Sequence, residues 1–311
     1  MFGEGSLSFG VVTVSHNTSR PPQLRVVMRG ALVPKYFSGE IRSTHRHVIN
    51  IETAVDDPVP GAVFISLLER EIDMTAYGLL VSTIPGGMKP GMQAVLADGV
   101  LALGGEKIAH DHGAGVWDGF LETGSFRAGE ERVRAWLENA LQRHADSGGF
   151  AALAGETDPN PFAARARRVL FRAQAVERGG RQVIAGLHEL VGLGIGFTPS
   201  GDDFISGVLL GAAASGGRTG TTYPAVEMEP MAGQLQKTST GGATLLRLCL
   251  AGRFPAYQHR LLKSLRTART EEEVNAAVED AASHGETSGL DSATGVWWFH
   301  SRGKKLIRPS G

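Results

Sequence analysis

The hydrophobic period of this chain changes once, near residue 125, and that change constrains its fold more than any other feature. Before it, short β-type runs alternate with turn residues. Gly10–Val14, Leu24–Met28, His47–Glu52, Ala62–Leu67, Gly78–Ser82 and Ala94–Ala102 read as strands. They are separated by loop chemistry such as Arg20-Pro21-Pro22, Asp56-Asp57-Pro58-Val59-Pro60-Gly61 and Pro85-Gly86-Gly87. After it the spacing is helical. Val133, Trp136, Leu137, Ala140 and Leu141 form one stripe, and Phe162–Val176 carries Arg165, Arg168 and Arg172 on one face. Gln182–Val191, the segments after Pro199 and after Gly241, and Glu271–Ala282 read as further helices, with a loop at Gly148–Pro161. The predicted class is α+β. A β-rich domain over 1–125, a sandwich or small barrel, precedes a mostly α-helical domain over 126–311.

The formal net charge of −1 advertises neither nucleic acid nor an acidic membrane surface as a partner. No apolar run approaches the ~20 residues of a membrane span. No basic stretch followed by an apolar one opens the chain, so no secretory signal is expected. Cys249 is the one cysteine and lies in an apolar stretch. That excludes an internal disulfide framework and favours a reducing compartment, so a cytoplasmic protein is expected. The 42 glycines follow no period, and fall at turns and helix starts instead.

The densest chemistry lies at 192–203, Gly-Leu-Gly-Ile-Gly-Phe-Thr-Pro-Ser-Gly-Asp-Asp, just before the apolar run Phe204–Leu210. This is a loop feeding a helix start, where unpaired N–H groups and the helix dipole favour negative charge. Thr198, Ser200 and Gly201 are candidates to bind an anion there. Asp202 and Asp203 are candidates for catalysis, or for holding a divalent cation such as Mg2+. First-turn acids are also ordinary helix stabilisers, and Ser200 an ordinary N-cap.

There is no strong residue-level repeat, but the local architecture recurs twice. Thr238, Ser239, Thr240, Gly241 and Gly242 precede an apolar helix and offer hydroxyls and N–H groups to phosphate, with Lys237 and Arg247 nearby as positive charge. His284, Thr287, Ser288 and Asp291 form a third turn, able to bind substrate or, through His284, to move a proton. In an antiparallel helical arrangement, three such starts line one pocket. Each also reads as simple capping. His45-Arg46-His47 puts two imidazoles on one face if extended, and His110-Asp111-His112 does the same in a loop, but neither has a third metal ligand at a convincing spacing. Gly192-x-Gly-x-Gly lacks the spacing and the preceding strand of a dinucleotide fingerprint.

The run Gly192–Asp203 with Phe204–Gly211 resembles the signature of the AllH-type family, described as subunits of oxamate carbamoyltransferase. Thr238–Leu250 and His284–Asp291 resemble that family's later motifs in the same order. After Gly295 the chain departs from it, being more polar and basic than a helical ending. The resemblance implies anaerobic allantoin catabolism, in which oxalurate and phosphate give oxamate and carbamoyl phosphate. It implies a small anionic substrate, two other protein subunits and a possible homo-oligomer, and it leans towards an enzyme. The alternatives are a non-catalytic subunit binding an anion or nucleotide, and a stand-alone enzyme of another pathway.

Overall fold

Tight two-residue turns set the register of the first half. The computed structural model describes residues 24–55, 61–110, 113–121, 131–155, 160–178, 183–215 and 231–301. Asp98-Gly99 joins β6 (Gln93–Ala97) to β7 (Val100–Leu103), and Gly104-Gly105 joins β7 to β8 (Glu106–His110). All four turn residues have positive φ, the backbone that matches strand twist in a hairpin. The single strand expected over Ala94–Ala102 is therefore a hairpin. Asp-Gly is a strong hairpin signal that the run of apolar residues around it obscures.

The other strands are β1 (Leu24–Gly30), β2 (Phe37–His45), β3 (Val48–Val55), β4 (Gly61–Leu68), β5 (Gly78–Val81) and β9 (Gly115–Trp117). They form one sheet in the order β5-β4-β3-β2-β6-β7-β8-β1-β9, with β1 also paired to β5. The sheet thus curls back on itself, in the small-barrel rather than the two-sheet form of the expectation. The expected strand Gly10–Val14 and the boundary near residue 125 lie outside the described residues.

Alternation along β3 and β4 decides what each face does. Ile49, Ile51, Val63, Ile65 and Leu67 are fully buried in the core of the sheet region. Their neighbours Val48, Asn50, Phe64, Ser66 and Leu68 face the other way and line a cavity. The turn Arg46-His47 between β2 and β3 borders the same cavity.

Seven α-helices follow among the described residues: α1 (Glu131–Gln142), α2 (Pro161–Arg178), α3 (Ser200–Ser215), α4 (Thr240–Leu250), α5 (Ala256–Thr267), α6 (Glu271–Ala282) and α7 (Ser288–Ser301). The structure is α+β, as the period change predicts. Two departures are informative. Val183–Leu190 is a 3-10 helix rather than the expected α-helix over Gln182–Val191. Within the expected loop Gly148–Pro161, Phe150–Ala154 is a buried 3-10 turn.

The polar ending does not stop α7. Trp297 and Trp298 are buried to 1% and 0% exposure, and the helix runs to Ser301. Its stripe packs on α3 in the helical core, to which Phe204 contributes an aromatic contact with Trp298 at 5.9 Å. α6 begins with a complete capping box, Thr270 and Glu273 satisfying each other's backbone N–H groups.

Candidate functional site

The starts of α3 and α7 are two copies of one motif. Ser200-Gly201-Asp202-Asp203 and Ser288-Gly289-Leu290-Asp291 share Ser-Gly-x-Asp, and each continues three residues later into Ser206-Gly207 or Thr294-Gly295. The helices cross at those glycines. A Cβ on Gly207 would lie 1.9 Å from the Ser292 carbonyl oxygen, and one on Gly295 would lie 2.1 Å from that of Phe204. Only glycine allows this approach.

Close crossing lets each helix start serve the other. Ser288 hydrogen-bonds Asp203, and Ser200 hydrogen-bonds Asp291. Thr198 Oγ1 donates to Asp203 at 2.9 Å and lies 3.1 Å from Ser288 Oγ. Thr287 Oγ1 donates to Asp291 at 2.9 Å, and the Phe150 N–H donates to it at 2.5 Å. The sequence reading finds the recurring architecture but misses this repeat. The shared Ser-Gly-x-Asp-x-x-(Ser/Thr)-Gly pattern was the available signal.

Asp202 and Asp203 do different work. One oxygen of Asp202 accepts the Gly192 N–H at 2.9 Å and the other accepts the Thr238 hydroxyl. Gly242 leaves the room that this carboxylate fills. Asp202 thus ties the glycine loop to the start of α4. Asp203 lines the cavity instead. Burial pushes Asp202 up to about 6, against hydrogen bonds from Thr238 and Gly192 that pull it back. Burial also raises Asp203 well above the usual carboxylate range, helped by the charge of Asp291. Asp291 is raised to about 6, again by burial.

The loop that Asp202 secures has φ of +73° at Gly192, +126° at Gly194 and +105° at Gly196. Its backbone alternates so that Leu193 is buried while Ile195 is 79% exposed at the cavity edge. Phe197 packs on Phe64 of β4 with ring centres 4.7 Å apart. The loop therefore touches both the sheet and the helices.

The cavity measures about 710 Å³. Thr198, Ser200, Asp203, Gly241, His284, Thr287 and Ser288 line it, so the three recurring turns converge as predicted. The remaining candidates stand behind them. The Gly201 N–H bonds the Leu193 carbonyl, and Ser239 caps α4 through the Gly242 N–H at 3.0 Å. Thr240 donates to Glu52 of β3 at 3.0 Å. Asp202 and Asp291 brace the same starts.

The positive charge comes from elsewhere than expected. Lys237 and Arg247 do not line the cavity, and Arg247 donates to the Ala62 carbonyl at 2.9 Å. Arg46, Arg70, His45 and His47 do line it, all from or beside β2–β4. Nor are His45 and His47 two imidazoles on one strand face. His45 ends β2, His47 sits in the turn, and its Nδ1 lies 2.7 Å from Glu69. Asp111 and His112 lie outside the described residues. Among the described residues, no three His, Cys, Asp or Glu side chains are placed to share a metal ion.

His284 is held from across the chain. Its Nδ1 pairs with Asp73 at 2.7 Å, and Arg70 grips both oxygens of Asp73 at 2.7 and 2.8 Å. Against the penalty of burial, the His284 and Arg70 bonds bring Asp73 down to about 2. The imidazole stacks on Tyr257, 3.9 Å between ring centres and 13° from parallel. Nothing in the sequence ties Asp73 to this site, because the pairing is purely tertiary.

Residues 190–299 match the model of the AllH family, described as oxamate carbamoyltransferase subunit AllH. The AllH match covers about a third of the chain and contains all three helix starts that converge on the cavity. It leaves out the sheet wall with Arg46, Arg70 and Asp73. No curated protein and no solved structure matches the chain. No helix among the described residues is long and apolar enough to cross a membrane.

Proposed function

We propose that this chain is a subunit of an oxamate carbamoyltransferase and seats the substrate in the cavity between the helix starts and β3–β4. One observation carries the reading. The three motifs inside the AllH-matching residues converge on a single cavity whose opposite wall supplies arginine and histidine. A small anion bearing an amide fits such walls, with N–H groups and hydroxyls on one side and cations on the other.

In the reaction a phosphate oxygen bonds to the carbamoyl carbon of oxalurate. The bond from that carbon to the oxamate nitrogen breaks, and the nitrogen takes a proton. Arg46 holds an anionic group while Arg70 fixes Asp73, and backbone N–H groups at the helix starts around Ser200, Gly241 and Ser288 meet the oxygen on which charge develops. Asp203 orients the amide. His284, fixed by Asp73 and Tyr257, delivers the proton to the departing nitrogen. Asp202 is a brace in this scheme. Two further subunits complete the enzyme, and the buried thiol of Cys249 accords with a cytoplasmic location.

The test is to purify the tagged full chain from its source with the subunits that accompany it. Carbamoyl phosphate formation from oxalurate and phosphate is then assayed. The complex is expected to turn over, and His284→Gln within it to lose at least about a hundredfold in rate. A complex that forms no carbamoyl phosphate overturns the reading. A complex that turns over equally well with His284→Gln and Asp203→Asn assigns the chemistry to a partner, leaving this chain a binding subunit.

A further inference from the structure

The cavity is larger than the molecules proposed to react in it. At about 30 Å³ for each non-hydrogen atom, as for water in the liquid, its volume of about 710 Å³ holds roughly two dozen. Oxalurate and phosphate together bring about fourteen, which leaves room for about ten more. Cavities of this size ordinarily enclose ligands much larger than oxalurate. The comparison with oxalurate rests on the carbamoyltransferase reading, whereas the lining of the cavity is independent of it.

The wall away from the α3 and α7 starts is largely apolar. Val48 of β3 and Leu68 of β4 pair across the strands on the face that lines the cavity, and pack together with Ala256. Pro255, next to Ala256, lines the cavity too, as do Leu245 and Leu248, about one turn apart on α4. The polar side chains among them are already engaged within the protein. Asn50 donates to Ser43 at 3.0 Å and accepts from Ser66 at 2.8 Å. Thr244 donates to the Thr240 carbonyl at 2.7 Å. The Tyr257 hydroxyl lies 3.0 Å from that of buried Ser292, which leaves the tyrosine ring to the cavity.

Apolar surface kept in contact with water is unfavourable, and an apolar occupant relieves it. A cation stands beside this surface, because Arg46 precedes Val48 in the β2–β3 turn and both line the cavity. We infer that this wall is a second subsite, for an organic anion whose apolar body has about ten non-hydrogen atoms. Its charged end lies on Arg46, and its body lies on Val48, Leu68 and Leu248. The chemical class is a medium-chain or aryl-bearing carboxylate, distinct from the small polar anion seated at the helix starts.

Linear carboxylates from butyrate to decanoate test it. Decanoate is titrated calorimetrically into the full chain, alone and in the presence of each shorter acid. Affinity is expected to rise about threefold with each added methylene, at one acid per chain. Val48→Asn is expected to weaken decanoate by at least about fivefold and butyrate far less, flattening the series. Arg46→Met is expected to weaken every member by the same factor and leave the dependence on length intact.

An affinity independent of chain length overturns the inference, as does binding of several acids per chain, or a series that Val48→Asn leaves unchanged. If Val48→Asn does not fold, as judged by circular dichroism, the unaltered chain and Arg46→Met decide. The two readings fail separately. A complex that makes carbamoyl phosphate while the series is flat refutes the second subsite alone. A graded series in a chain whose complex makes no carbamoyl phosphate refutes the reaction and supports the subsite.

Discussion

Oδ1 of Asp73 lies 2.7 Å from Nδ1 of His284, joining residues 211 positions apart. Asp73 comes from the 3-10 turn Glu71–Asp73 beyond β4, and His284 from the turn before α7. The pair therefore links the sheet region to the helical region at the cavity. With Nδ1 engaged and the ring stacked on Tyr257, the imidazole has one orientation, and Nε2 has no protein partner among the described residues.

Asp73→Asn tests what that link does. The expected result is a fall of about ten- to a hundredfold in kcat with little change in KM, accompanied by a displaced pH–rate profile. A purely structural role would lower the melting temperature and leave the pH profile of the surviving enzyme in place. Steady-state kinetics of the purified complex across pH separate the two.

Arg46 tests the cationic wall. It is exposed in the β2–β3 turn, so Arg46→Met is expected to leave the melting temperature unchanged. Binding of the anionic substrate is expected to weaken by about tenfold, read as a raised KM, with the loss shrinking as salt is added.

The buried carboxyls set a pH dependence of stability. Asp202 and Asp291 titrate near 6 in the folded protein against the ordinary 3.8. Between those values the folded protein holds protons that the unfolded chain has released. Stability therefore falls as pH rises from about 4 to about 6, by roughly 3 kcal/mol for each group. Asp203, raised by burial and by the charge of Asp291, acts in the same direction. Asp73 acts in the opposite sense, its contribution being present above about 3.8 and lost as pH falls towards 2. Urea midpoints between pH 4 and 7 are expected to slope downward in the native chain and to flatten in Asp202→Asn and Asp291→Asn.

Gly295→Ala places a methyl where the Phe204 carbonyl already lies, and Gly207→Ala does the same at Ser292. Each is expected to destabilise the fold by about 3 kcal/mol or more, because main chain rather than a flexible side chain must yield. Gly86→Ala meets nothing within 4 Å and serves as the neutral control. Urea unfolding of the three variants gives the comparison.

Periodicity and turn chemistry made most of the fold legible. The predicted Glu271–Ala282 is α6 to the residue, and the strands around Leu24, Ala62 and Gly78 lie where alternation and turn residues put them. Runs with two meanings failed. Ala94–Ala102 is apolar enough to hide its Asp-Gly turn, and helical spacing over Val183–Leu190 does not separate a 3-10 from an α-helix.

Convergence of the three helix starts was legible, because each start announces itself by Ser, Thr and Gly. The cationic wall was not. Arg46 and Arg70 look like solvated strand-end residues until β3 and β4 are laid against α4. Asp73 reaches His284 only through the folded chain, so no local spacing encodes that pair.

The contact of α3 with α7 at Gly207 and Gly295 has a consequence for ligand choice. Main-chain radii, rather than compressible side chains, fix how far apart the Ser200 and Ser288 ends stand. If the cavity seats a ligand as proposed, its helix side offers a span set by backbone contact rather than by adjustable side chains. The exposed Ile195, on a glycine-flanked loop at the cavity edge, is not held by that crossing.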